Sequence, residues 1–334
     1  MTSTDTAKPS LDVMDELDMW GLKYLTVKLA LELDIFNVIA ARHRTAGEIA
    51  NAVRASLHGT RVILDALCAL GLLKKTEGSY SLSPASETFL VRGGPADCAD
   101  LYMTFWRDRE RLLEAVRTGK ATIDFLNPSA EGLWVNYAAS QILSWPTLAE
   151  TARERWAQVG ITPESRPGLH VLDAACGVGI TGFALAQADP TGRVTAFDLP
   201  KVLEVAARVA DQMGVRQQVT LYRGSLVAGD FPPGPFDVVI FGAILYYFRP
   251  ERVVAVLRKA LGALTPAGQV VIRTWMADEE RCRDENALLL AVEFLHDAPE
   301  GEMYTYSEYK TFLEAAGFGD VERRSDYLIS ATRK

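Results

Sequence analysis

The sequence predicts an α/β chain in which an open, largely parallel sheet with helices on both faces follows a helical N-terminal half closed by a short β-hairpin. Three observations lead there. From His170 onward, apolar strands alternate with amphipathic helices, the rhythm of a doubly covered parallel sheet. Ahead of about residue 90 the apolar spacing is helical. With 334 residues, the chain also exceeds the roughly 250–300 at which one core tends to divide, so two domains are expected.

Composition narrows the classes. Hydrophobic residues make up 49% and charged residues 23%, which are globular proportions. A formal net charge of −8 repels nucleic acid and anionic lipid wherever no basic patch overrides it. Cys68, Cys98, Cys176 and Cys282 are scattered without a CxxC pair, which argues against a disulfide framework or a zinc site. No metal is expected. The polar opening MTSTDTAKPS lacks a signal peptide's apolar run, and no stretch supplies the ~18–20 apolar residues of a membrane span. A cytoplasmic protein is expected.

Residues 1–10 read as a disordered tail, with nothing apolar to bury. Leu25, Leu29, Ala30, Leu33 and Ile35-Phe36 follow helical spacing. Thr45 caps the next helix, ahead of Ala46 and Glu48. A third helix is predicted from Thr60 to Leu73, with Ile63, Leu64, Leu67 and Leu70 on one face. Gly78-Ser79 between Leu72–Lys75 and Tyr80–Leu82 predicts a hairpin. Residues 11–98 thus have a winged-helix layout, which serves either DNA binding or dimerisation; the acidic balance favours dimerisation.

Residues 99–164 read as a helical connector rich in aromatics: Tyr102, Phe105, Trp106, Phe125, Trp134, Tyr137, Trp145 and Trp156. Such rings either pack a joint between halves or line an apolar acceptor pocket. Tyr102, Trp106, Trp134 and Tyr137 are the candidate walls.

Residues 165–334 form the predicted sheet domain. Leu169–Ala175, Arg193–Leu199, Val219–Ser225, Phe236–Ala243 and Gln269–Met276 read as strands. Thr181–Ala188, Val202–Met213, Arg252–Leu264, Glu285–His296 and Ser307–Ala316 read as helices, and residues 320–334 supply two closing strands. The most informative stretch is Val171-Leu172-Asp173-Ala174-Ala175-Cys176-Gly177-Val178-Gly179, a strand running into a glycine turn. Gly177 and Gly179 permit a tight turn and close approach of a ligand. Asp198 ends the next strand, in Phe197-Asp198-Leu199-Pro200, where a carboxylate accepts from ribose hydroxyls. The letters Gly177-Val178-Gly179-Ile180-Thr181-Gly182 fit a dinucleotide loop or an S-adenosylmethionine (SAM) loop. Asp173 inside the strand favours SAM, whose ligating end carries an ammonium group and no phosphate. Cys176 reads as a small packing residue.

With these residues in view, the sequence resembles the dimerising, winged-helix SAM-dependent O-methyltransferases of plant phenylpropanoids and bacterial polyketides and pigments. Leu33-Asp34-Ile35-Phe36, Leu67-Cys68-Ala69-Leu70-Gly71-Leu72-Leu73, Asp173 to Gly179, Phe197-Asp198-Leu199-Pro200 and Ala315-Ala316-Gly317-Phe318 carry the resemblance, which spans nearly the whole chain. It implies a Rossmann-like class I methyltransferase domain behind an α-helical winged-helix dimerisation domain, and a homodimer joined through the latter. It implies a seven-stranded sheet whose last strand is antiparallel. It places Asp173, Gly177 and Gly179 around the methionine end of SAM and Asp198 at the ribose. The family's Gly-Asp beside the adenine is matched by Gly224-Ser225-Leu226, so Ser225 is either a partner for the base edge or an ordinary loop serine.

The chemistry departs from the pattern at one point. The family's catalytic His follows the fourth strand in a Leu-His-Asp-Trp motif; here the stretch is Leu245-Tyr246-Tyr247-Phe248, and the Lys or Arg often found four residues before the His is Gly242. A tyrosine, with a reference pKa of about 10, is a poor base at neutral pH but donates a hydrogen bond or stacks. Ile244-Leu245-Tyr246 is similar to the bacteriochlorophyll C-20 methyltransferases, which methylate carbon. His296, which ends an apolar helix, is the other candidate: a base or hydrogen-bond partner, or a helix-terminal His held by the dipole. Methylation of oxygen or carbon on a small aromatic or polycyclic acceptor is the leading expectation. SAM-dependent chemistry without methylation, and a winged-helix ligand-sensing regulator, are the alternatives.

Overall fold

The computed structural model describes residues 11–333. The tail expected at residues 1–10 lies outside them. Two compact units divide the described chain, with the boundary between Met103 and Thr104.

The N-terminal unit begins with α1 (Asp12–Glu32), α2 (Ile35–Ala40), α3 (Ala46–Ala52) and α4 (Leu57–Ala69). The single helix expected through Leu25–Phe36 is two helices. Asp34 adopts a left-handed conformation with φ 60° and ends the first run. Its carboxylate accepts from Asn37 (2.6 Å) and from Arg92 (3.3 Å), which holds a conformation an L-residue otherwise avoids. Thr45 caps α3 as expected, in a reciprocal capping box with Glu48. The third expected helix starts earlier than Thr60, because Ser56 caps it by accepting from Gly59, and it stops before Gly71. Leu72 and Leu73 therefore leave the helix. β1 (Leu73–Thr76) and β2 (Ser79–Leu82) pair antiparallel. Glu77 and Gly78, both with positive φ, form the two-residue turn. Ala30, Ile35, Phe36, Ile39, Ile49, Leu64, Leu67, Leu73 and Tyr80 bury a core of their own. α5 (Pro84–Phe89) follows, and α6 (Ala99–Arg109) carries the unit boundary. On α1, Val13, Met14, Leu17, Trp20 and Leu22 are at least half exposed.

The second unit opens with α7 (Leu112–Thr118), α8 (Glu131–Ser140) and α9 (Trp145–Gln158). The sheet domain then runs β3 (His170–Ala174), α10 (Ile180–Ala188), β4 (Arg193–Asp198), α11 (Pro200–Gln212), β5 (Val219–Arg223), β6 (Phe236–Gly242), α12 (Pro250–Ala263), β7 (Leu264–Arg273), α13 (Glu285–Asp297), α14 (Tyr306–Ala316), β8 (Phe318–Ser325) and β9 (Leu328–Arg333). The strands form one seven-stranded sheet in the order β5-β4-β3-β6-β7-β9-β8. The first five are parallel, and β9 is antiparallel to both of its neighbours.

Both faces are covered, so the central strands alternate between two cores rather than between core and water. Val171, Val194, Ile240 and Val271 pack under α9, α10 and α11. Leu172, Phe197, Val239, Phe241 and Ile272 pack under α12 and α14. Chain order reverses between β3 and β6, which opens a crevice at their C-terminal ends. The loop after β3 and the tip of β4 lie at that end of the sheet.

Candidate active site

The loop after β3 is built from left-handed residues: Ala175 (φ 58°), Gly177 (φ 55°) and Gly179 (φ 75°). They fold the backbone back on itself, so that the Gly179 amide donates to Cys176 O (2.8 Å) and the Cys176 amide donates to Phe197 O (3.1 Å). Gly179 starts α10 directly over the ring of Phe183, which occupies the place a Cβ would take. Gly182 packs as tightly one turn on: a Cβ there would lie 2.9 Å from Val194 Cγ1 and 3.1 Å from Asp173 Oδ2.

Asp198 stands at the tip of β4. Its Oδ2 accepts from the Gly177 amide (2.8 Å) and its Oδ1 from the Leu199 amide (2.7 Å). One N–H on each oxygen leaves lone pairs on both. A vicinal diol, the ribose of SAM, needs two such acceptors, so the residues fit that group. Burial pushes the Asp198 carboxyl up to about 6, against the two amide bonds that pull it down. Asp173 is 2% exposed, and its Oδ2 accepts from the Gly182 amide (3.0 Å). The carboxylate expected near a ligand ammonium thus also ties β3 to the first turn of α10. Its carboxyl is pushed up to about 7 by burial.

The third strand's loop is held by Ser225. Its hydroxyl oxygen accepts from Val227 (3.2 Å) and Ala228 (3.4 Å), and its amide donates to Asp230 (3.0 Å). That is a loop role, with the hydroxyl proton left over. Leu226 is buried in the core under α12. Leu199 precedes α11 and packs against the opposite core.

A continuous set of rings starts at the turn after β6. Leu245, Tyr246 and Tyr247 form one 3-10 turn after β6. Tyr246 stacks on Phe294 of α13 (5.2 Å, 28° between planes) and meets Tyr247 (5.0 Å). Tyr247 meets Trp134 edge-on (5.6 Å), and Trp134 meets Tyr137 (6.3 Å) and Phe125 (6.0 Å). The Trp134 indole donates to Phe125 O (2.8 Å). α8 ties this wall to the segment after Asp198, since Glu131 accepts from the Lys201 amide at the start of α11 (3.0 Å). Of the residues named from sequence, Trp134, Tyr137 and Tyr246 come together. Trp106 is half-buried on α6, whereas Tyr102 belongs to the N-terminal unit and is 46% exposed. Phe125 stood among the connector aromatics without being named a candidate wall, and Tyr247 and Phe294 were not named as site residues.

Tyr246 is 5% exposed, and burial raises its phenol well above the ordinary value. It stays protonated, so it can donate its hydroxyl proton but does not act as a base near neutral pH. His296 is 2% exposed, and its Nδ1 has no hydrogen-bond partner. Burial lowers its pKa, against the nearby carboxylates Glu293 and Asp108, so the ring is neutral near pH 7. Its carbonyl accepts from Thr122 and Ile123 (both 2.9 Å), which pins the end of α13 to the segment before α8. The neighbouring Asp297 is also buried, with an unpartnered Oδ1 and a carboxyl pushed up to about 7 by burial. Arg109 pairs with Glu293. Among the described residues no cluster of His, Cys, Asp and Glu is fit to hold a metal, and no helix is long and apolar enough to cross a membrane.

Comparisons with known proteins agree with this geometry. Residues 167–319 match the O-methyltransferase domain and residues 23–92 the O-methyltransferase dimerisation domain. The tetracenomycin polyketide synthesis 8-O-methyl transferase TcmO of Streptomyces glaucescens is 32% identical over 87% of this chain and 86% of its own length. The 3-hydroxy-5-methyl-1-naphthoate 3-O-methyltransferase of Streptomyces sahachiroi is 27% identical over 91% of this chain and 87% of its own. The structure of human N-acetylserotonin methyltransferase in complex with SAM shares the fold, with a TM-score of 0.74, 21% identity, and coverage of 100% of this chain and 99% of that one. The chain belongs to the SAM-dependent O-methyltransferase family, with that family's dimerisation domain ahead of its O-methyltransferase domain.

Proposed function

We propose that this enzyme, as a homodimer joined through its N-terminal domain, methylates a hydroxyl group on a fused-ring aromatic natural product. The observation that carries the reading is the ring wall Trp134–Tyr247–Tyr246–Phe294, built on the turn that follows β6, the strand next to β3. Flat aromatic acceptors stack on such a wall, with ring-to-ring contacts worth about 0.5–1.5 kcal/mol each beyond their buried area. The names of the two Streptomyces relatives, one acting in tetracenomycin synthesis and one on a naphthoate, point the same way.

SAM, when bound, supplies a methyl group already activated by the sulfonium charge. The chain has to place the acceptor in line and manage its proton. Placement removes translational freedom and lowers the barrier by several kcal/mol. Gly177, Gly179 and Asp198 hold the donor side, and the helical segment 99–164 contributes Trp134 and Tyr137 to the acceptor side. Tyr246 orients the acceptor by donating its phenolic proton. His296, neutral and unpartnered at Nδ1, receives the acceptor proton.

The absence of a base at position 246 also favours a carbon nucleophile, which loses its proton only after the methyl has arrived. Incubation with SAM and a pool of phenols, hydroxynaphthoates, quinones and a chlorophyllide, read by mass spectrometry, tests both. A product heavier by one methyl group, with the methyl on oxygen by fragmentation, is expected. A C-methyl product would replace the oxygen reading, and an acceptor consumed without methyl gain would sink it. Tyr246→Phe should slow turnover roughly tenfold, the worth of one hydrogen bond of about 1.4 kcal/mol, with SAM affinity unchanged. Equal turnover would reduce Tyr246 to a stacking surface.

A further inference from the structure

We propose that Arg273 is the binding group for a carboxylate carried by the acceptor, so that this enzyme selects acidic aromatic acceptors. The inference rests on the reading of the crevice as a methyltransferase site with an aromatic wall.

Arg273 ends β7 and is the direct register partner of Gly242, which ends β6. Alternation puts Arg273, Gly242 and Asp173 on one face of three adjacent strands, the face of Val271, Ile240 and Val171. Because Gly242 has no side chain, the guanidinium lies across it. A Cβ on Gly242 would sit 3.4 Å from one terminal nitrogen of Arg273 and 3.7 Å from Nε. The cation is thereby carried from the outer strand toward the crevice, into the electrostatic field of both Tyr246 and Asp173.

This cation has no ion-pair partner among the described residues. Its Nε is buried without a hydrogen-bond partner. Arg273 is half-buried, and a guanidinium nitrogen taken out of water without a partner carries a cost. Asp173 attracts Arg273 through the field but forms no ion pair with it, and its Oδ2 is held by the Gly182 amide. A second guanidinium aggravates the imbalance: Arg155 of α9 is partly buried, and its pKa is lowered by burial and by repulsion from Arg273. Two like charges in a half-dry corner call for an anion, and a planar guanidinium is matched in shape by a carboxylate. Arg273 acts electrostatically on Tyr246 of the Tyr246–Phe294 stack, so a ring lying on that stack carries its carboxylate toward Arg273.

The amino-acid end of SAM also bears a carboxylate, and the experiment separates the two sources. The protein is first titrated calorimetrically with S-adenosylhomocysteine. The saturated complex is then titrated with 1-hydroxy-2-naphthoate and, separately, with the neutral 1-hydroxy-2-naphthamide. The wild type is expected to bind the naphthoate at least about tenfold tighter than the amide. Arg273→Met should weaken naphthoate binding by about 10- to 100-fold, the range for a hydrogen-bonded charge, with the amide and S-adenosylhomocysteine held within about threefold. Arg273→Lys should recover part of the loss, since the charge returns without the fork. Gly242→Val, which fills the space under the guanidinium while leaving the charge in the chain, should reproduce the loss. Unchanged naphthoate binding in Arg273→Met, or no naphthoate preference in the wild type, overturns the proposal. So does a loss of S-adenosylhomocysteine affinity as large as that for naphthoate, which assigns the anion to the methionine end of SAM. Failure of the wild type to bind S-adenosylhomocysteine would instead remove the methyltransferase reading beneath it.

Discussion

A valine at Gly179 is expected to abolish SAM binding. Two independent costs meet at that position. The backbone has φ 75°, where a β-branched residue is a steric outlier at about 1–3 kcal/mol. The new side chain would also overlap the ring of Phe183, which is fully buried and has nowhere to retreat; overpacking of this kind costs about 1–3 kcal/mol more. The loop is the cheapest element to move, because its own bonds are few: Gly179 to Cys176, Cys176 to Phe197 and Gly177 to Asp198. It therefore shifts, and the backbone surface that receives the ligand goes with it. Calorimetry should show affinity reduced by more than about a hundredfold, while far-ultraviolet circular dichroism keeps the sheet signature. Wild-type affinity in the valine variant would mean that the loop is not the ligand's seat.

The second large effect is at Asp198. Replacement by alanine removes both acceptors offered to a ribose and frees the Gly177 and Leu199 amides that the carboxylate now holds. Loss of a charged hydrogen-bond partner costs about 1.5–3 kcal/mol, so SAM affinity should fall about 10- to 150-fold. The pH dependence carries the same signature. Burial raises this carboxyl to about 6, and ribose hydroxyls donate, so they bind the ionised form. Affinity should be flat above about pH 7 and decline as pH falls through 6, approaching tenfold per unit at lower pH. The alanine variant should lose that slope. A slope that survives the substitution would assign the titration to another group, and affinity within twofold of wild type would remove Asp198 from the site.

Much of this arrangement was legible in the sequence, for a physical reason. A strand buried on both faces must be apolar throughout, and a turn that places a ligand on bare backbone must contain glycine; both marks are local. The β3 strand, its loop and Asp198 were read from them, and β4 to β6 followed from alternation, while β7 begins at Leu264, which was read as helix, and β8 at Phe318, ahead of the closing strands expected from residue 320. What escaped depends on pairings distant in the chain. The break at Asp34 is held by Arg92, 58 residues away, so local helical spacing ran through it. Arg273 acquires its meaning only from the register that sets it against Gly242. The wall likewise needs Phe294 laid on Tyr246, and nothing near either residue announces the other. Ser225 illustrates the reverse case. The sequence left it open between base partner and loop serine, and two backbone amides on its hydroxyl give it loop work whatever else it does.

The exposed side of α1 bears on how this enzyme behaves when diluted. Val13, Met14, Leu17, Trp20 and Leu22 stand out from the helix, more apolar surface than one segment of a monomer usually leaves in water, and the matched dimerisation domain begins at residue 23, within that helix. If a second copy covers this side, part of each protomer's folding free energy is borrowed from association. Melting temperature then becomes a function of protein concentration, rising as mass action favours the pair. Activity lost on dilution would return on concentration, with no change in any residue of the catalytic crevice.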